Sequence, residues 1–161
     1  MMKDNSLTVS IIMNCHNGET FLKQSIDSII NQSFKNWELI FFDNVSDDNS
    51  LEIVDSFNDK RIKVFKSEKF INLYHARNEA IQKAKGKYIC FLDTDDYWER
   101  NKIEEQVNFL ENNSNFEMVY SNFYTIKKDN TKYIQNNYNL PEGKIVKDLL
   151  LSLIHISEPT R

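Results

Sequence analysis

Apolar residues along this chain fall into short runs and stripes separated by polar clusters. Leu7–Met13 (LTVSIIM) is β-branched and apolar, which predicts a buried strand. Asn14–Gly18 has turn chemistry. Beyond it, Leu22, Ile26, Ile29 and Ile30 mark a helical stripe over Glu19–Asn31. Trp37–Phe42 (WELIFF) predicts a second strand ending at Asp43. The polar loop 43–50 leads into a helix through Phe57, N-capped by Ser46 or Asp47, with an inner face drawn from Leu51, Ile53, Val54 and Phe57. Ile62–Phe65 predicts a short third strand. Leu73–Lys85 predicts a third helix with Leu73, Ala76, Ala80, Ile81 and Ala84 on one side. Tyr88–Leu92 is uncharged, follows Gly86, and predicts a fourth, buried strand.

Downstream, Asn101–Asn112 predicts a helix with Ile103, Val107 and Leu110 inward, and Met118–Ile126 another strand. Tyr133–Tyr138 is placed to pair with that strand around 127–132, and Pro141–Leu150 begins a helical pattern. Strands that alternate with helices over short connections imply βαβ units, so the fold class is α/β, with a mainly parallel sheet flanked by helices. Polar loops follow the first, second and fourth strands. In a parallel sheet such loops gather on one edge, which is where ligands bind. Asn17, Asp43 and the cluster Asp93–Asp96 are therefore expected to share one cleft.

Composition narrows the class. With 161 residues, 40% hydrophobic and 27% charged, the chain suits one domain with a real core. The net charge of −4 gives no basic footprint for nucleic acid. No apolar run is long enough for a membrane span. Met1–Thr8 lacks the apolar core of a signal peptide, so a cytoplasmic chain with reduced Cys15 and Cys90 is expected. His16, His75 and His155 are scattered and suggest no zinc site.

The chemistry concentrates after the fourth strand, where Asp93, Asp95 and Asp96 fall within four residues. A divalent cation would relieve their repulsion. An acidic turn with Asp96 as N-cap of the next helix fits the isolated pattern equally well. Three glycines, Gly18, Gly86 and Gly143, cannot form a GxGxxG fingerprint, and no Walker loop is present. A bound diphosphate would then need an acid-held Mg²⁺ or Mn²⁺ to balance it.

Four motifs in order carry a family resemblance over Thr8 to about Tyr124. They are Val9–Glu19 (VSIIMNCHNGE), Phe42–Ser46 (FDNVS), Ala76–Asn78 (ARN) and Phe91–Trp98 (FLDTDDYW). The chain resembles the inverting family 2 glycosyltransferases with the nucleotide-sugar-binding GT-A fold. It departs at Asn14 and His16, where Pro and Tyr are commoner, and at Asn44, where a second Asp is common. The resemblance implies that Asp43 accepts a hydrogen bond from the nucleobase and that Arg77 approaches the base or the diphosphate. It implies that Asp93 contacts the ribose and supports the metal site, and that Asp95 ligates Mn²⁺ or Mg²⁺. Asn17 and Glu19 would line the mouth. On the residues alone, Asp43 also reads as a strand-ending Asx turn, Arg77 equally well as a solvated or ion-paired helix residue, and Glu19 as a helix start. Trp37 and Trp98 read as packing residues and both cysteines as inert.

The implied reaction moves a sugar from a nucleotide-diphosphate donor, most commonly a UDP-sugar, to a hydroxyl of a glycan, lipid-linked or protein-linked acceptor, with inversion. The setting it implies is the cytoplasm, at the inner face of the membrane. The general base, an Asp or Glu, is expected beyond residue 150. A sugar-1-phosphate nucleotidyltransferase would want a Gly-rich basic loop, which NCHNGE is not, and a noncatalytic nucleotide-binding module is the other alternative. The domain expected is 1–150, a donor-binding part cut short. Residues 151–161 (LSLIHISEPTR) resemble the read-through of a transposon-type sequencing adapter. Removing that tail takes one acid and one base and leaves the net charge at −4.

Overall fold

The computed structural model describes residues 7–127, 131–134 and 143. The chain divides into two compact units, residues 1–107 and 108–161. The first unit contains β1 (Val9–Cys15), α1 (Glu19–Ile30), β2 (Trp37–Asp43), α2 (Ser50–Ser56), β3 (Ile62–Lys66), α3 (Leu73–Ile81) and β4 (Tyr88–Phe91), and α4 (Lys102–Asn112) begins in it. The four strands form one sheet in the order β3-β2-β1-β4, and every pairing is parallel. This is the architecture the alternating pattern predicts.

β2 is buried along its whole length, as a central strand covered on both faces must be. Register sorts the side chains. Ile11 lies opposite Leu39, and Met13 opposite Phe41. Their face packs with Leu22, Ile26 and Ile29 of α1, Val54 of α2, and Ile103 and Val107 of α4. Ile12, Ile40 and Phe42 share the other face with Ala76 and Ala80 of α3. Small side chains on α3 let that helix close on the sheet. Each fully buried large apolar side chain contributes roughly 1.5–3 kcal/mol.

A polar tie closes the end of the sheet away from the loops described below. Glu38 of β2 is buried and accepts from Ser10 Oγ at 2.7 Å and from Lys85 N at 2.9 Å. Gly86 N donates to Ser10 Oγ at 2.8 Å. A Cβ on Gly86 would stand 2.5 Å from Ser10 N, so only glycine lets the chain pass there.

The structure corrects several expectations. α3 stops at Ile81 and not at Lys85, because Lys83 N and Ala84 N turn to the carbonyls three residues back and Lys85 N leaves for Ser10 and Glu38. β4 is an edge strand among the described residues. Its Ile89 and Phe91 are 44% and 47% exposed, so it is half-buried where a fully buried strand was expected. α2 begins at Ser50, later than caps at Ser46 or Asp47 would place it. Asp48 Oδ1 accepts from Ser50 N at 2.9 Å.

In the second unit, the strand expected over 118–126 is limited to β5 (Tyr124–Ile126). Met118, Tyr120 and Phe123 before it are exposed and lie outside any strand. β5 pairs antiparallel with β6 (Lys132–Ile134), with Thr125 opposite Tyr133. The remainder of the expected strand over 133–138, the helical start over 141–150 and the tail 151–161 lie outside the described residues.

Candidate functional site

The loops at the C-terminal ends of β1, β2 and β4 gather on one edge of the sheet and are bonded to one another. After β1, Asn17 takes a left-handed backbone, φ 56°. Asn17 N donates to Ser46 Oγ at 3.0 Å, and Asn17 Oδ1 accepts from Asp47 N at 2.9 Å. Gly18 N donates to Ser50 Oγ at 3.0 Å. Glu19 opens α1 and also reaches across, its Oε2 accepting from Asn49 N and Nδ2 at 3.0 and 2.7 Å. Asn17 and Glu19 thus brace the two loops, a role their spacing does not suggest.

Asp43 ends β2. It is 2% exposed, and its Oδ2 accepts from Ser46 N at 3.2 Å. Its Oδ1 is buried with no hydrogen-bond partner. A bare buried acceptor costs about 1–3 kcal/mol, so this atom is left short of a donor. Asn44 beside it is also buried and laces three segments together. Its N donates to Cys15 O at 2.7 Å, its Nδ2 to Ile71 O at 2.7 Å, and its Oδ1 accepts from Ile71 N at 3.0 Å. Asn44 O lies 3.0 Å from His16 Nδ1, which donates to it. The His16 ring meets that of Phe70 with centroids 4.7 Å apart, tilted at 60°, and Phe70 is 62% exposed. The sequence pattern does not single out Phe70, since a lone aromatic in a polar loop has no periodic signal.

The acidic turn follows β4. Asp96 N donates to Asp93 O at 3.2 Å, and all three carboxylates are exposed. Although Asp96 is an exposed residue, partial desolvation of its carboxyl, then the charges of Asp95 and Asp93, push it above the usual carboxylate range. The expected capping role of Asp96 fails, because α4 starts only at Lys102. Arg77 of α3 donates from Nη2 to Asp93 Oδ1 at 2.7 Å and lies 5.7 Å over the Phe91 ring. The ion-paired reading of Arg77 is therefore met, and the pair joins two of the expected site residues. Ser25 Oγ of α1 donates to Thr94 O and Asp96 O, at 2.7 and 2.6 Å. A Cβ on Gly18 would meet Thr94 Oγ1 at 3.0 Å, so the first loop lies directly against the acidic turn.

Among the described residues no group of three or more His, Cys, Asp or Glu forms a metal cage by itself. The acids crowd one another's charge while facing solvent. That suits a cation held by one or two carboxylates, with its other ligand positions left for an incoming diphosphate. Burial raises the Cys15 thiol and pushes Cys90 up to about 12, which favours the protonated thiol at both positions. Trp37 is buried with the Arg61 guanidinium 3.7 Å over its ring, and Trp98 packs against the core, so both are packing residues. No described helix is long and apolar enough to cross a membrane.

Comparison with known proteins finds relatives among glycosyltransferases. The family model described as Glycosyl transferase family 2 matches residues 10–160. The chain is 40% identical over 121 residues to Escherichia coli WfgD, a UDP-Glc:alpha-D-GlcNAc-diphosphoundecaprenol beta-1,3-glucosyltransferase, covering 75% of this chain and 47% of that protein. S. aureus TarS 1-349 in complex with UDP-GlcNAc superposes with a TM-score of 0.63 at 26% identity, covering 66% of this chain and 32% of that one. The Pyrobaculum calidifontis mannosyltransferase PcManGT, solved with GDP-Man and Mn²⁺, shares the fold at 21% identity, with a TM-score of 0.59 over 63% of this chain and 32% of that one. The chain spans about half the length of the curated relatives it matches.

Proposed function

This chain belongs to glycosyl transferase family 2, and on that premise we propose that residues 1–150 are the donor-binding part of a longer enzyme. That enzyme transfers a sugar from a nucleotide-diphosphate donor to a hydroxyl with inversion. The observation that carries the reading is Asp43, a buried carboxylate at the end of the central strand β2 whose Oδ1 has no partner. The imide N–H of a uracil ring is a donor of the kind this acceptor needs. A UDP-sugar is accordingly the proposed donor, the class named for WfgD and bound in the TarS complex. The acceptor is a lipid-linked glycan, the class in WfgD's name, met at the inner face of the membrane.

In this reading Asp43 orients the base, and Asn17 holds the mouth of the pocket in shape. Asp93, fixed by Arg77, faces the ribose. Asp95 would hold Mn²⁺ or Mg²⁺, which when bound supplies Lewis-acid charge to the leaving diphosphate. An Asp or Glu beyond residue 150 takes the proton from the acceptor hydroxyl. Attack from the face opposite the departing nucleotide inverts the anomeric carbon.

Calorimetric titration with UDP and GDP, with and without Mn²⁺, tests the proposal. UDP is expected to bind more tightly than GDP, and Mn²⁺ to strengthen it. Asp43→Ala should weaken binding with or without metal, and Asp95→Ala should remove only the metal-dependent part. Metal-independent binding together with an indifferent Asp95→Ala would overturn the site. Sugar transfer by the 161-residue chain alone would overturn the placing of the base beyond residue 150.

A further inference from the structure

Ser25 sits in the middle of α1, 1% exposed, and its hydroxyl makes its shortest contacts outside its own helix. Oγ is 3.4 Å from Phe21 O, one turn back, but 2.7 Å from Thr94 O and 2.6 Å from Asp96 O. A serine has one hydroxyl proton, so these two carbonyls share it. They belong to the residues on either side of Asp95. Both carbonyls are thereby turned toward α1, while the carboxylates of Asp93, Asp95 and Asp96 remain exposed.

Ser28 on the same helix face and Gln32 just past the helix end continue the attachment. Ser28 Oγ accepts from Trp98 N at 3.1 Å. Gln32, fully buried, donates to Glu99 O at 2.8 Å and accepts from Ile103 N at 3.1 Å. Ser25 and Ser28 lie one turn apart on α1 and Gln32 follows just past its C-terminal end, so α1 carries an apolar stripe and a polar one. Leu22, Ile26 and Ile29 hold it to the sheet, and the polar stripe holds the segment that follows β4. Packing needs only the first. The Ser25 hydroxyl adds nothing to the apolar stripe, and its two short contacts are both with the acidic turn.

We infer that Ser25 is a positioning residue for Asp95, fixing the main chain on both sides of it so that its carboxylate is preorganised for a divalent cation shared with a nucleoside diphosphate. The inference rests on the donor-site reading above. A ligand carboxylate on a loose turn pays its ordering cost at each binding event, and partners that orient ligands typically matter 10–100-fold in metal affinity.

The test is calorimetric titration of the 161-residue chain with UDP, in the presence and absence of Mn²⁺, beside its Ser25→Ala variant. Ser25→Ala should leave metal-free UDP binding unchanged and cut the Mn²⁺-dependent gain about tenfold, with Ser25→Thr recovering most of it. A purely structural role would instead lower both affinities together with the melting temperature. A full Mn²⁺-dependent gain in Ser25→Ala overturns the inference. Amide hydrogen exchange gives a second readout that needs no ligand. Exchange over residues 94–98 should quicken in Ser25→Ala while β1 and β2 stay protected, and unchanged exchange there also overturns the inference. If UDP fails to bind the unsubstituted chain, the donor-site reading falls instead, and exchange alone then decides whether Ser25 fixes the turn.

Discussion

At Val45 the backbone stands at φ 63°, a left-handed conformation that a β-branched residue resists. Its neighbours hold it there, Asn44 through both ends of its amide to Ile71 and Ser46 through Asp43 and Asn17. The strain sits two residues from Asp43 and its bare carboxylate oxygen, in the loop that orients it. A left-handed non-glycine residue costs roughly 1–2 kcal/mol, and glycine's extra chain entropy roughly 0.5–1 kcal/mol. Val45→Gly is therefore expected to raise stability by a few tenths to about 1 kcal/mol in urea unfolding, and a loss would contradict the account. A second residue-scale prediction concerns pH. The Arg61 guanidinium bonds both oxygens of Asp59 and holds its carboxyl below the usual range. A lowered folded pKa contributes stability above the ordinary carboxylate value, about 3.9, and loses it as pH falls through the lowered one. Asp59→Asn should cost up to about 1 kcal/mol near neutral pH, and the difference from the parent chain should shrink below about pH 4. A difference that stays constant with pH would refute the sign. Asp43 was legible as a residue that ends an apolar run, but its burial and its vacant oxygen were not, because neither is a property of its neighbours in sequence.

At the scale of elements, periodicity found the helices and strands that pack and missed what the polar positions do. The apolar stripe of α1 was plain from Leu22, Ile26 and Ile29. Ser25 and Gln32 look like solvent-facing positions until the segment 94–103 is laid against them. The end of α3 was misplaced because Ala84 prolongs the stripe, while the bonds that stop the helix come from Ser10 and Glu38, far away in the chain. Gly86 tests that junction. A methyl group there would meet Ser10 N at 2.5 Å and Val9 C at 2.7 Å, main-chain atoms of β1 that cannot swing aside. Gly86→Ala should cost about 2–3 kcal/mol, the upper part of the range for overpacking, measured by chemical unfolding. A neutral outcome would show that the tie at the base of the sheet is loose.

For the first unit as a whole, stability should rank with enclosure. β2 is covered on both faces and paired on both sides, and β1 lies between β2 and β4. Native-state hydrogen exchange should be slowest in Val9–Cys15 and Trp37–Asp43 and faster in β4, whose alternate side chains are exposed. Equal protection across all four strands would contradict that ranking. The parallel βαβ order, the sheet edge that gathers the loops and the motifs of the family follow from the sequence alone. Hydrophobic period and loop chemistry are local, and a right-handed parallel crossover leaves few ways to arrange them. Only the tertiary structure decided which acid is buried and bare, which is paired to Arg77, and that a serine on the first helix is bonded to the acidic turn. Those outcomes depend on burial and on partners tens of residues away, which a one-dimensional pattern does not encode.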